Sequence, residues 1–305
     1  MSIRAAASCR RPWRARRCNK AVQTGGQAGT VKTLDEIGAQ EDGDIDVAFA
    51  ALALAAHANP DKPAEQYTNH LLKLARDVAD RHAGLLAGGA EDDAGTQLAA
   101  LKHILHDQEA YLGDSEQYDN LDNANLMRVI DRRKGLPIAI ALLYIHAGRA
   151  QGWRVDGLNF PGHVLVRIER SGQRLIFDPF HGCLVMQAPE LRALLKATMG
   201  PQAELSVSYY DIAANRDMLL RLQNNIKLRQ IDAEDYEGAL ATVEAMRLIA
   251  PAEYKLLFDA GILSARIGRP GAAITLLEEY ARNPLSPRER QDAEALLAEL
   301  RAMVN

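Results

Sequence analysis

Apolar positions along the chain follow two periods, and the change between them marks out the architecture. Val47 to His57 is an almost unbroken Ala/Leu run of helical length, preceded by Asp42, Asp44 and Asp46. Carboxylates at that end suit a helix N-terminus, where the macrodipole is positive. Asn59-Pro60 ends this helix, and Pro63 opens another with Tyr67, Leu71, Leu74, Ala75 and Val78 at helical spacing. Gly84 to Gly95 reads as a loop, Thr96 to about Ala110 as a helix, and Tyr111 to Ala124 as a polar, Asp- and Asn-rich connection. Pro137 begins a second apolar run that reaches Ala150. It is too long for one strand, so it predicts a buried helix with proline in its first turn. The period then drops to two. Val155–Asn159, Val164–Glu169 and Arg174–Phe177 predict three strands, the last two a hairpin broken at Ser171-Gly172. Pro189 to Met199 returns to a short helix, and Leu205 to Tyr210 is extended. The mixture predicts an α+β fold with a small antiparallel sheet.

From about Ala214 the chain is helical to its end, with an internal echo 34 residues long. Asp235 to Leu240 matches Arg269 to Ile274, and Glu244 aligns with Glu278. This is the tetratricopeptide period. Asn225–Pro251 and Tyr254–Pro284 read as two repeats, with Arg288–Val304 as a capping helix. So few repeats cannot bury their own faces and must lean on a neighbouring core. The tail is then either a peptide-binding groove or a brace. The chain divides into a disordered basic tail (1–33), a helical part of the core (34–125), the central block (126–210) and the helical tail (214–305).

Net charge is −4, but residues 1–34 hold eight Lys/Arg and no acidic residue. The remainder carries 28 basic and 40 acidic residues, a net of −12. An acidic body argues against nucleic-acid binding, which requires phosphate neutralisation. No apolar run reaches the ~20 residues of a membrane helix. Cys9, Cys18 and Cys183 make no disulfide framework and point to a cytoplasmic setting.

Candidate chemistry lies where the central elements start and stop. His163 is placed at the opening of the middle strand and Asp178 at the close of the last, so the hairpin brings imidazole and carboxylate together. In cysteine hydrolases such a pair faces a thiol on a helix first turn, where the dipole lowers its pKa. The residue at that turn is Pro137. Arg132 and Arg133, with Arg128 beside them, form a basic patch read either as partners of the Asp-rich loop or as a carboxylate clamp at a cleft. Arg149, Asn159 and Cys183 are further cleft candidates. Trp153, Phe160 and Phe180 read as core aromatics around the strand block. His103 and His106 share a helix face, but the further ligands of a zinc site are missing at motif spacing, so no metal or other cofactor is expected. Asp42, Asp44 and Asp46 lack the Gly and Glu positions of a calcium loop.

Arg132-Arg133-Lys134-Gly135-Leu136-Pro137-Ile138, Phe160-Pro161-Gly162-His163 and Asp178-Pro179-Phe180 together resemble the SirB family, whose core is transglutaminase-like and papain-related. The resemblance covers roughly Ile45 to Phe180 and the repeat-bearing tail. It places the nucleophile position on Pro137, an arginine of the helix end on Arg149, the histidine on His163 and the aspartate on Asp178. SirB-type relatives usually carry Gly where this chain has Cys183. Two functional readings follow. One is a non-catalytic transglutaminase-like domain that acts, with its tail, as an interaction or scaffold protein with a protein or peptide partner. The other is a cysteine-hydrolase or acyl-transfer enzyme that uses His163 and Asp178 with a nucleophile still to be found.

Overall fold

In the computed structural model, residues 32–304 are described. The basic stretch expected over 1–33 therefore lies almost wholly outside the described residues, as do Cys9 and Cys18. Thr33 caps the first helix, α1 (Leu34–Gly38), through a reciprocal pair of hydrogen bonds with Glu36.

The Asp42–Asp46 run serves helix ends. Asp46 accepts the Ala48 and Phe49 N–H groups at the start of α2 (Val47–Ala58). Asp42 reaches across to accept the Asn215 and Arg216 N–H groups of a much later helix. The next helix, α3 (Glu65–Ala87), continues straight through Gly84 and turns only at Gly89, where φ is +92°. The loop expected from Gly84 begins late because one glycine costs a helix only about 1 kcal/mol. The helix expected over 96–110 is α4 (Ala94–Lys102), continued by a π turn at His103–Gln108.

The polar connection then forms a short strand, β1 (Leu112–Gly113), which pairs in parallel with β2 (Lys134–Gly135) on either side of α5 (Leu126–Arg132). The expected buried helix is α6 (Pro137–Arg149), whose residues Pro137 to Gly148 are all buried. The three expected strands are β3 (Arg154–Gly157), β4 (Val166–Arg170) and β5 (Gln173–Asp178), and a short β6 (Leu184–Val185) extends them. All four pair antiparallel in chain order. The helix expected from Pro189 is α7 (Ala188–Met199), while in the stretch expected to be extended residues 207–210 form a 3-10 turn.

The tail comprises α8 (Asn215–Asp232), α9 (Tyr236–Ile249), α10 (Lys255–Arg266), α11 (Pro270–Ala281) and α12 (Pro287–Val304). The two echoed segments start at equivalent places, with Asp235 and Arg269 as the N-caps of α9 and α11. A Cβ on Gly261 would lie 2.8 Å from the Leu277 side chain, so glycine sets the approach of α10 to α11. The expected boundary near 210–214 falls in a connection. Beyond it, Met218, Leu219 and Leu222 of α8, with Ala245, Ile249 and Ala250, join the same apolar cluster as α2, α3 and α6. The repeats lean on the core, as two repeats must. Arg216 fastens the join by donating to the carbonyls of Ile249, Ile37, Gly38 and Gln40.

One polar side chain is buried on α6. His146 Nδ1 lies 2.7 Å from Asp46 Oδ2 and its Nε2 3.2 Å from the Leu71 carbonyl. Both partners are acceptors, so the ring fits as the doubly protonated imidazolium. Burial works against that charge, but the Asp46 bond, its negative charge and the Leu71 carbonyl together outweigh it and raise the His146 pKa. The stabilisation is complete below the unfolded-state value of 6.5 and is lost as pH rises through the higher folded value. His146→Gln should cost about 1–3 kcal/mol in chemical denaturation at pH 6. It should also remove part of the decline in unfolding free energy on the alkaline side; an unchanged decline would refute the assignment.

Candidate functional site

The site is a carboxylate held at the end of a strand and approached by two turns. Asp178 closes β5 and is almost fully buried. Its Oδ1 accepts the Phe180 N–H at 2.9 Å, which folds the chain back immediately after the strand. The Cys183 N–H then donates to the Asp178 carbonyl at 2.9 Å and closes the loop. Phe180 anchors that loop. Its ring covers Gly113 so closely that a Cβ there would lie 2.4 Å away, and Tyr118 meets it edge-on at 6.3 Å.

His163 comes from the Pro161-Gly162 turn. It sits in the connection before β4, which starts only at Val166, rather than on the strand as expected. Gly162 has φ +68°, and a Cβ there would press to 2.8 Å from Thr198 of α7. Glycine is required on both counts. Arg221 of α8 holds the turn by donating to the His163 carbonyl at 2.8 Å. The expected pair is formed: His163 Nε2 lies 2.7 Å from Asp178 Oδ2.

A third group joins them. His181 Nδ1 lies 2.6 Å from the same Oδ2, and the two imidazole rings stack at 5.9 Å. The sequence signal for it is the i,i+3 spacing of Asp178 and His181 across a turn. Burial disfavours the Asp178 anion, but the bonds from His163 and His181 outweigh burial and hold its pKa below the usual carboxylate range.

Pro137, the residue that the resemblance sets at a nucleophile position, is the first residue of α6 and is buried. Cys183, the alternative sulfur, points elsewhere. Its thiol meets the Tyr144 hydroxyl of α6 at 3.1 Å, and burial pushes its pKa up to about 12. Cys183 has φ +62°, directly after Gly182 at +65°. That is a glycine-favouring conformation, in keeping with the glycine typical of SirB-type sequences.

The arginine candidates are engaged in structural bonds. Arg132 donates to Asp114 at 3.0 Å and to Asn123 at 2.9 Å. Arg128 approaches Asp122 at 3.7 Å. These are the Asp-rich-loop pairings, so the loop partnership holds for both. Arg133 instead binds Glu109 at 3.0 Å and lies over the Tyr111 ring at 4.8 Å. Arg149 clamps the end of α6, donating to the Val155 carbonyl, Asp156 and Asn215 at 2.6–2.8 Å. Asn159 is exposed, its backbone N–H bonded to the Asp211 carbonyl. The expected aromatic cluster is three separate contacts: Trp153 packs on His82, Phe160 on Tyr209 and Phe180 on Tyr118. His106 bonds to Asp107 and shares no site with His103 among the described residues.

The lowered Asp178 pKa fixes a pH dependence. Its stabilisation is present above the unfolded value of 3.8 and disappears as pH falls through the lower folded value. Asp178→Asn, measured by denaturant unfolding from pH 5 down to pH 2, should lose stability at pH 5 and show a flatter acid limb than the parent. Parallel acid limbs would show that Asp178 carries no such linkage.

Comparison with known proteins accords with this geometry. Residues 65–224 match the family model described as "Transglutaminase-like superfamily", and residues 226–301 match that for the tetratricopeptide repeat. A UPF0162 protein of Xylella fastidiosa is 28% identical over 187 residues, 60% of this chain and 66% of that protein, so just under two thirds of the relative is spanned. A UPF0162 protein of Vibrio cholerae is 28% identical over 220 residues, 72% of this chain and 79% of that one. Protein SirB1 of Salmonella typhimurium is 23% identical over 195 residues, 62% and 72% of the two chains. No solved structure matches. With the first family model covering more than half of its length, the chain belongs to the transglutaminase-like superfamily, in a SirB-like branch that carries a tetratricopeptide-type tail.

Proposed function

We propose that this protein is a non-catalytic transglutaminase-like domain that works, with its tetratricopeptide-type tail, as a cytoplasmic interaction or scaffold protein. One observation carries the reading: among the described residues no sulfur is offered to the His163–Asp178 pair. Pro137 stands at the helix start where a thiol would be needed, and Cys183 gives its hydrogen bond to Tyr144. A base with no nucleophile in reach has nothing to activate.

Tetratricopeptide repeats generally mediate protein–protein contacts, which supports a role of this kind for the tail. A cavity of about 490 Å³ lies where α8 and α9 face α2 and the Leu121–Asn125 turn. Asn125, Gln223, Gln230 and Thr242 line it alongside Leu54 and Ile226. Amides and hydroxyls on an apolar floor suit an extended peptide, whose backbone needs both donors and acceptors. No described helix is long and apolar enough to cross a membrane. The acidic body and a free, buried Cys183 accord with a cytoplasmic protein partner rather than a nucleic acid.

The 2.7 Å His163–Asp178 bond favours the second reading, an acyl-transfer or cysteine-hydrolase enzyme with some other nucleophile. Two measurements separate the readings. Site-resolved mass spectrometry after iodoacetamide or fluorophosphonate treatment at pH 7.5 should show Cys183 unlabelled and no modification that depends on His163. Labelling abolished by His163→Ala would establish the enzyme instead. Thr242→Glu in the full chain should abolish recovery of the partners that the parent retains from cells. An identical set recovered by both forms would rule out the tail as the binding element.

A further inference from the structure

Two histidines on one carboxylate oxygen are more than a buried aspartate requires. His163, about one-tenth exposed, already supplies Asp178 with a partner inside the fold. His181 is 59% exposed, so its bond to the buried Asp178 is partly screened by solvent. Yet His181 is set with care. It lies between Phe180, seated on Gly113, and Gly182, whose φ is +65°. A Cβ on Gly182 would come within 3.1 Å of His106 Nε2, so glycine eases this path.

The outcome is a trio of donor atoms: His163 Nε2, Asp178 Oδ2 and His181 Nδ1, all within 4.8 Å of one another. Asp178 Oδ1 is taken by the Phe180 N–H, so the carboxylate presents a single oxygen to the two rings. We propose that these three atoms form a binding site for a divalent transition metal ion of the zinc class.

The donor set decides the class. Two imidazoles and one carboxylate suit zinc and its neighbours, whereas calcium and magnesium require mostly oxygen ligands. The size also fits. A tetrahedral ion with ligands at about 2.0–2.2 Å separates its donor atoms by roughly 3.3 Å. The nitrogens now stand 2.7 and 2.6 Å from the carboxylate oxygen, so opening each gap takes about 0.6 Å. His181, exposed on its turn, has room to make that shift, while Asp178 stays pinned through Oδ1. Three protein ligands leave the fourth position to water on the His181 side, where the site meets solvent. The site does not depend on the scaffold reading, because neither Pro137 nor the tail contributes a donor.

The test uses the full chain with Cys9→Ser and Cys18→Ser, so that thiols outside the site cannot bind metal. Zn²⁺ and Co²⁺ uptake is measured by equilibrium dialysis with elemental analysis, and Co²⁺ by its visible ligand-field bands. The parent should bind one equivalent, with bands of four-coordinate intensity. His181→Ala, at an exposed position, and the isosteric Asp178→Asn should each weaken Co²⁺ binding at least tenfold and lower the band intensity. Circular dichroism confirms that each variant is folded. Equal affinity in parent and His181→Ala overturns the site, as does failure of the folded parent to take up one equivalent.

Discussion

A helix with no solvent face must have every polar group answered from outside, and α6 places that demand on the whole molecule. Twelve successive residues, Pro137 to Gly148, are buried. Its first residue is a proline, so one orphan donor of the N-terminus is absent from the start. The Leu136 N–H just before it is taken by the Asn123 carbonyl, and Arg132 fixes Asn123 in turn. Midway, His146 is answered by Asp46 and Leu71. At the far end Arg149 joins β3 to α8. The polar loop, the acidic run and the first tail helix are each drawn in by a group on α6 or beside it. This explains why the first half of α8, which precedes the repeats, packs as part of the core.

That dependence also separates what could be read from the sequence from what could not. Pro137, the Ala/Leu run and the alternation after Gly152 express local preferences, and each produced the expected element. The His163–Asp178 pair was legible because a hairpin fixes which strand ends meet. Bonds spanning a hundred residues leave no local trace. Nothing near His146 reveals Asp46, and nothing near Asp42 reveals that it caps a helix beginning at Asn215. Gly84 shows the opposite error, a local preference too weak to outweigh the packing of the helix around it. His181 was missed because the turn that aims it depends on Phe180 finding Gly113, a contact between distant segments.

The sulfur follows the same logic. Cys183 lies five residues after Asp178, and spacing alone makes it look available. The backbone decides otherwise. Two consecutive left-handed residues, Gly182 and Cys183, swing the side chain toward Tyr144 and into the apolar cluster. There a thiolate would face a desolvated site with a hydroxyl beside it and no cation in contact. The same turn that exposes His181 buries Cys183. The loop therefore presents an imidazole to solvent and withholds its thiol.

This bears on what a His–Asp pair can signify in a domain with no nucleophile. Once Asp178 is buried, a hydrogen-bonded partner is compulsory, because an unpaired buried carboxylate would cost several kcal/mol. His163 meets that need whether or not any reaction takes place, so the pair is compatible with turnover but does not establish it. His181 is different. The fold would keep a partner on its buried carboxylate without it, and its ring lies largely in solvent, where the bond to Asp178 is partly screened. Of the three residues it is the one that packing and charge compensation leave unexplained, and so it is the one from which a functional role can be inferred.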